Sequence, residues 1–163
     1  MIQSFIKYIN FAWKVFLANF RMLKNPYKLF VVVTKSCDSA CLNCSIWKEE
    51  PQNELTLLEY ELIAKNIGPH LSWLNISGGE PTNREDLIEI IKIFQKNCPN
   101  LLILNFTTNG LRIDRLLKTA EYLNQSDIPI IGINVSVDGP EEAHVKLRGG
   151  SNSYQLAIRS LDA

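Results

Sequence analysis

Two apolar rhythms alternate along the chain, one at helical spacing and one in short continuous runs, and their order predicts the architecture. From Ile2 to Leu23, the residues Ile2, Phe5, Ile6, Ile9, Trp13, Phe16 and Phe20 fall on one helical face, while Gln3, Lys7, Asn10, Lys14 and Arg21 share a narrow wedge. Asn19 interrupts the apolar side. KLFVVVT (Lys28 to Thr34) is a β-branched run of the kind found in buried strands. Thr56-Leu-Leu-Glu59 is a capping box, in which hydroxyl and carboxylate each satisfy an otherwise unpaired N–H of the first helical turn; it opens a helix to about Asn66. A strand from Leu71 to Ser77, a helix from about Arg84 to Asn97 and a strand from Leu101 to Thr107 follow. A helix from about Leu111 to Asn124 leads to a strand from Ile130 to Val137, and a last helix begins near Ser153, with Tyr154, Ala157, Ile158 and Leu161 at helical spacing. Four strands alternating with four helices predict an α/β fold with a parallel sheet and right-handed crossovers.

Composition narrows this little. The 163 residues suffice for one hydrophobic core. Lys+Arg and Asp+Glu both number 17, so net charge gives no support for a nucleic-acid partner. Lys7 and Lys14 interrupt the N-terminal apolar run, which argues against a signal peptide and against a spanning helix. Residues 1–24 are therefore expected to form an amphipathic helix ahead of a core at 25–163. Its apolar face is expected to pack on the rest of the protein, with a partner or a membrane interface as the other occupants.

Parallel βα arrays bind ligands at the carboxyl ends of their strands, so the four loops there are expected to share one site. They are Cys37-Asp-Ser-Ala-Cys41-Leu-Asn-Cys44, then Ser77-Gly78-Gly79-Glu80-Pro81, then Thr107-Thr108-Asn109-Gly110, and last Asp138-Gly139-Pro140 running on to Arg148-Gly149-Gly150. Three cysteines in one loop are too many for one disulfide and too few for a closed zinc site. They suggest a metal centre with one position open, in a reducing, cytoplasmic compartment. Gly78 and Gly79 carry no side chain, so backbone groups there can approach a ligand closely. The competing reading is a zinc-binding interaction domain in which His144 completes a Cys3His site. It leaves the glycine-rich loops unexplained. His70 and Cys98 precede the second and third strands, at the other end of the sheet, and Cys98 reads as a small buried hydrophobe.

With C-x3-C-x2-C, GGEP, TNG and SVDGP…RGG in this order, the chain from Lys28 onward resembles the radical SAM superfamily. The resemblance implies a partial (βα) barrel and a 4Fe-4S cluster held by Cys37, Cys41 and Cys44. The open iron would be chelated by the amino and carboxylate groups of S-adenosyl-L-methionine. Reductive cleavage would then yield a 5′-deoxyadenosyl radical that abstracts hydrogen from a substrate the sequence does not identify. It also implies that Gly78 and Gly79 meet the methionine end, that Glu80 helps hold the ammonium, that Ser136 contacts ribose or carboxylate and that Arg148 pairs with the carboxylate. Asn109 belongs to a matching motif without an assigned contact. Asn43 stands where the family often has an apolar residue near the adenine, with Trp47 a candidate for that packing role. The chemistry calls for an electron donor of flavodoxin or ferredoxin type. The last helix runs to the terminus without a glycine cap, and a complete eight-unit barrel needs roughly 250 residues. The barrel is thus expected to be truncated or split, with further strands, in a second chain if split, pairing beside Ile130 to Val137.

Overall fold

A computed structural model of the chain describes residues 2–20 and 23–163, with residues 2–4 described as backbone only. Helix α1 (Ile2–Ala18) precedes four βα units: β1 (Lys28–Val32), α2 (Leu57–Ile67), β2 (Trp73–Ser77), α3 (Leu87–Asn97), β3 (Ile103–Thr108), α4 (Ile113–Asn124), β4 (Ile130–Val135), α5 (Glu141–Arg148) and α6 (Ser153–Asp162). The strands lie in the order β1-β2-β3-β4, each pair parallel. The fold is a partial (βα) barrel in which β1 and β4 are the edges among the described residues.

One face of the sheet makes the core. Val31, Val33, Leu74, Ile76, Leu104 and Phe106 pack against Tyr60 and Ala64 of α2 and Leu87, Ile90, Ile91 and Phe94 of α3. The α3 residues recur at i, i+3, i+4 and i+7, the spacing that turns one helical stripe inward. Each fully buried apolar side chain of this kind contributes about 1.5–3 kcal/mol. The expected capping box is present: Glu59 N donates to Thr56 Oγ1 at 3.3 Å and Thr56 N to Glu59 Oε2 at 2.8 Å.

Four expectations need correction. β1 is buried on one side only: Phe30 is 66% and Val32 58% exposed, because they face the concave side of the sheet, away from α2 and α3. α3 starts at Leu87 rather than Arg84, whose guanidinium instead bonds Val33 O, Leu55 O, Glu54 and Asp86, tying the β1–α2 and β2–α3 connections together. The stretch between Pro140 and Gly149, read as loop, contains α5. Glu141 and Glu142 in its first turn and Lys146 and Arg148 in its last match the helix dipole, and Gly149 ends it with φ +73°.

The fourth concerns α1, which ends at Ala18, short of Leu23; Arg21 and the side chains of Ile2 and Gln3 lie outside what the structure describes. Lys7 and Lys14 of its polar wedge, rather than its apolar face, meet the protein. Lys7 Nζ donates to Leu101 O at 3.2 Å, and Lys14 Nζ to His70 O and Ser72 Oγ, both at 2.9 Å. Burial pushes the Lys14 ammonium below its ordinary value. Phe11 sits edge-on to Tyr27 and Trp73. These partners lie just before or at the starts of β1, β2 and β3, so α1 crosses the amino end of the sheet. Phe5, Ile6, Ile9, Trp13, Phe16 and Phe20 are exposed.

Candidate cluster and cofactor site

At the opposite, carboxyl end lies a cleft of about 360 Å³ whose walls include Cys37, Cys41, Cys44, Gly78, Gly79, Glu80, Ser136 and Arg148. The eight residues assigned cluster or cofactor contacts from the sequence therefore share one space, together with Asn43 and Asn109, while Trp47 is not on its wall.

The cysteine loop is held by side chains from the loops around it. Asn109 Nδ2 donates to Asp38 Oδ1 at 2.7 Å and to Ser39 Oγ at 2.9 Å, and Arg112 Nε donates to Asp38 Oδ2 at 3.1 Å. Leu42 N donates to Leu147 O at 2.8 Å, anchoring the loop to α5. Trp47 Nε1 donates to Cys41 O at 3.2 Å. Asn109 thus has its contact, and it is with the cysteine loop.

Gly78 and Gly79 have a reason to be glycine that the sequence reading missed. A Cβ on Gly78 would lie 2.5 Å from Thr34 O, and one on Gly79 2.4 Å from Ser36 O. The backbone admitted so closely is the approach to Cys37, and it is bonded there: Gly79 N to Thr34 O and Glu80 N to Ser36 O, each 2.8 Å. Any larger residue would push the cysteine loop away from β2.

Glu80 is 1% exposed and fastens β2 to β3. Its Oε1 accepts from Thr82 N at 3.0 Å, Thr82 Oγ1 at 2.7 Å and Thr108 Oγ1 at 2.8 Å, while Oε2 accepts from Asn109 N at 2.6 Å. A carboxylate offers about four acceptor directions, two on each oxygen. Oε1 is thus saturated and Oε2 retains room for a further donor. Ser136, one residue past β4, continues the ladder by donating its N–H to Thr108 O at 2.9 Å. Arg148 donates from Nε to Asp138 Oδ2 at 2.7 Å, leaving the outer edge of its guanidinium to other acceptors.

The thiols are free; Cys37 and Cys41 are half-buried and Cys44 is exposed. Burial pushes both Cys37 and Cys41 above the ordinary thiol value. A backbone hydrogen bond from Ser39 opposes this at Cys37, and the Arg148 charge opposes it at Cys41. A bound cation reverses such a balance, since it favours thiolate outright.

The donor set fits an iron–sulfur cluster better than one zinc ion. Its three thiols line one cleft, and a cube takes each thiolate on a different iron, leaving one iron open. His144 does not complete a zinc site. It is 1% exposed, edge-on to Tyr154, and is not part of the cleft wall. Its Nδ1 accepts from Asp138 N at 3.3 Å, which puts the proton on Nε2, a buried atom with no partner. Neither nitrogen offers a lone pair to the cysteines. Cys98 is 2% exposed in the core, its thiol pushed up to about 12 by burial.

Asp38, Arg112 and Leu147 were missed as supports of the site. Asn109 Oδ1 accepts from Leu111 N at 3.0 Å, while its amide reaches Asp38, 71 residues away, a pairing that no local pattern marks.

Residues 31–163 match the Radical SAM superfamily, and the chain belongs to that family of enzymes. Its members bind a 4Fe-4S cluster and S-adenosylmethionine. The chain is 29% identical over 144 residues to mycofactocin maturase MftC of Mycolicibacterium smegmatis, covering 87% of this chain and 35% of that protein. It is 31% identical over 132 residues to Fe-coproporphyrin III synthase of Methanosarcina barkeri, covering 79% and 31%. It is 28% identical over 137 residues to GTP 3′,8-cyclase of Haemophilus ducreyi, covering 80% and 38%. In structure it resembles Streptococcus suis SuiB bound to S-adenosylmethionine, with a TM-score of 0.67 at 23% identity over 91% of this chain and 34% of that one. The chain spans about a third of the length of these proteins.

Proposed function

We propose that this chain forms the cluster- and S-adenosylmethionine-binding half of a radical SAM enzyme, with Cys37, Cys41 and Cys44 as the three cluster ligands. The observation that carries this is the single cleft shared by the three thiols, the GGE loop, Ser136 and Arg148. When bound, the reduced cluster supplies the electron that cleaves S-adenosylmethionine to methionine and the 5′-deoxyadenosyl radical, which takes hydrogen from the substrate.

The chain's own residues bind and orient. Gly78 and Gly79 seat the cysteine loop on β2, which fixes the distance between the thiols and the cofactor. Glu80 holds the loops after β2 and β3 in register and offers Oε2 to the cofactor's ammonium. Arg148 presents its outer guanidinium edge to a carboxylate, a planar match that favours arginine over lysine. Ser136 offers its hydroxyl to ribose or carboxylate. The relatives are a mycofactocin maturase, an Fe-coproporphyrin III synthase and a GTP 3′,8-cyclase, so the substrate is left open. A reductant of flavodoxin or ferredoxin type and further strands beside β4 are proposed partners.

Anaerobic reconstitution tests this reading. Iron and sulfide bound in near-equal amounts, a brown absorption band and methionine formation under dithionite are the expected results. A colourless protein that takes up zinc, and no iron or sulfide, overturns it.

A further inference from the structure

Asp138 is held at two points by one turn of α5. His144 and Arg148 lie four residues apart on that helix, so they share one face. Arg148 Nε donates to Asp138 Oδ2 at 2.7 Å, and His144 Nδ1 accepts from Asp138 N at 3.3 Å. The helix thus grips both the side chain and the backbone of a residue three positions past β4.

The grip is rigid on the helix side. His144 is 1% exposed and packs edge-on to Tyr154 of α6, which fixes its ring. Burial, aided by the Arg148 charge and opposed by Asp138, holds the imidazole below its ordinary value. It therefore stays neutral at pH 7 and keeps the lone pair that Asp138 N uses. The same helix is tied to the cysteine loop, because Leu42 N donates to Leu147 O at 2.8 Å. The Arg148 charge accordingly bears on the Cys41 thiol.

Two effects of Asp138 on an incoming carboxylate oppose each other. Its own charge repels the carboxylate. Its bond to Nε, however, removes rotamer freedom that an unpartnered arginine would lose on binding, a loss that weakens affinity about two- to tenfold. That bond also leaves the two terminal nitrogens to meet a planar carboxylate. We propose that Asp138 is a positioning residue, gripped by His144 and Arg148 so that the guanidinium is already aimed at the carboxylate of S-adenosylmethionine. This rests on the reading of Arg148 as that carboxylate's partner.

The full chain, reconstituted with its cluster, is titrated anaerobically with radiolabelled S-adenosylmethionine by equilibrium dialysis without reductant. Methionine formation under dithionite is then followed across cofactor concentrations. Asp138→Ala should weaken binding about three- to tenfold and raise the half-saturating concentration equally. Iron content and the saturated rate should stay near wild type. Asp138→Asn keeps an oxygen for Arg148 Nε without the charge, so its affinity should stay within about twofold of wild type or exceed it. His144→Leu should weaken binding in the same direction, and His144→Asn, with an oxygen as far along the side chain as Nδ1, should recover it. Asp138 is partly exposed, so its two variants decide the matter even where His144→Leu fails to fold. Wild-type or tighter binding by Asp138→Ala overturns the inference. So does an Asp138→Asn variant as weak as Asp138→Ala, or a loss confined to the saturated rate. Arg148→Ala separates the inference from its basis. If it weakens binding while Asp138→Ala does not, only the positioning role fails; if it leaves binding unchanged, both fail.

Discussion

At the carboxyl end of the sheet, buried side chains hold three loops together and backbone bonds add the fourth, whereas at the amino end two lysines and one phenylalanine hold a single helix. Glu80 receives four hydrogen bonds, and Asn109 joins the loop after β3 to the loop after β1. Across the same strands, α1 rests on Lys7, Lys14 and Phe11 and leaves its apolar side open. Satisfied hydrogen bonds with low solvent access fix geometry best, so the loops at the carboxyl end are held more firmly than α1 at the amino end.

The largest contrast should come from the cysteines. Cys37→Ala, Cys41→Ala and Cys44→Ala should each abolish retention of iron and sulfide after reconstitution, while Cys98→Ala, in the core, should keep them. Loss of the cluster in Cys98→Ala alone, with the other three tolerated, would reverse the assignment. Next is Gly79→Ala. Its methyl would meet Ser36 O at 2.4 Å, so cluster retention should fall sharply although far-ultraviolet circular dichroism stays near wild type. Full retention would show that the cysteine loop yields without consequence.

Glu80→Gln replaces one accepting oxygen with a donor facing N–H or O–H donors. It should cost about 3 kcal/mol in urea unfolding, against less than about 0.5 kcal/mol for Glu89→Gln on the surface of α3. Equal costs would remove Glu80 from its place at the centre of the site. At the other end, Lys14→Met should cost about 1 kcal/mol and speed amide hydrogen exchange in α1 while leaving β2 and β3 protected. Uniform exchange changes across the sheet would mean that α1 is not a separable attachment.

The smallest effect concerns His144. Burial, aided by the Arg148 charge and opposed by Asp138, holds its imidazole below the ordinary value of 6.5. The unfolded chain therefore binds this proton first as pH falls. The contribution is fully present above the unfolded value and is lost as pH drops through the lower folded one. His144→Gln should flatten the stability-versus-pH curve there, and an unchanged slope would assign the acid sensitivity elsewhere.

Much of the molecule was legible from short-range pattern. The Thr56–Glu59 capping box, the spacing of Leu87, Ile90, Ile91 and Phe94, and the β-branched runs each depend on residues within a few positions of one another. They fixed the α/β alternation, and the three-cysteine loop with its companion motifs fixed the family. Pattern also carried a signal that went unread: charges matched to the helix dipole marked α5 ahead of Gly149. Tertiary structure alone decided the rest. Gly79 is glycine because Ser36 O lies where its side chain would be. Asn109 holds the cysteine loop because folding brings it to Asp38 across 71 residues. Amphipathicity showed that α1 has two faces, yet the carbonyls of His70 and Leu101 determined which one docks. A hydrophobic stripe records the chance to bury a surface, and a lysine wedge records the chance to bond one. Which of the two is taken depends on the groups other segments leave unpaired, and those exist only once the sheet has formed.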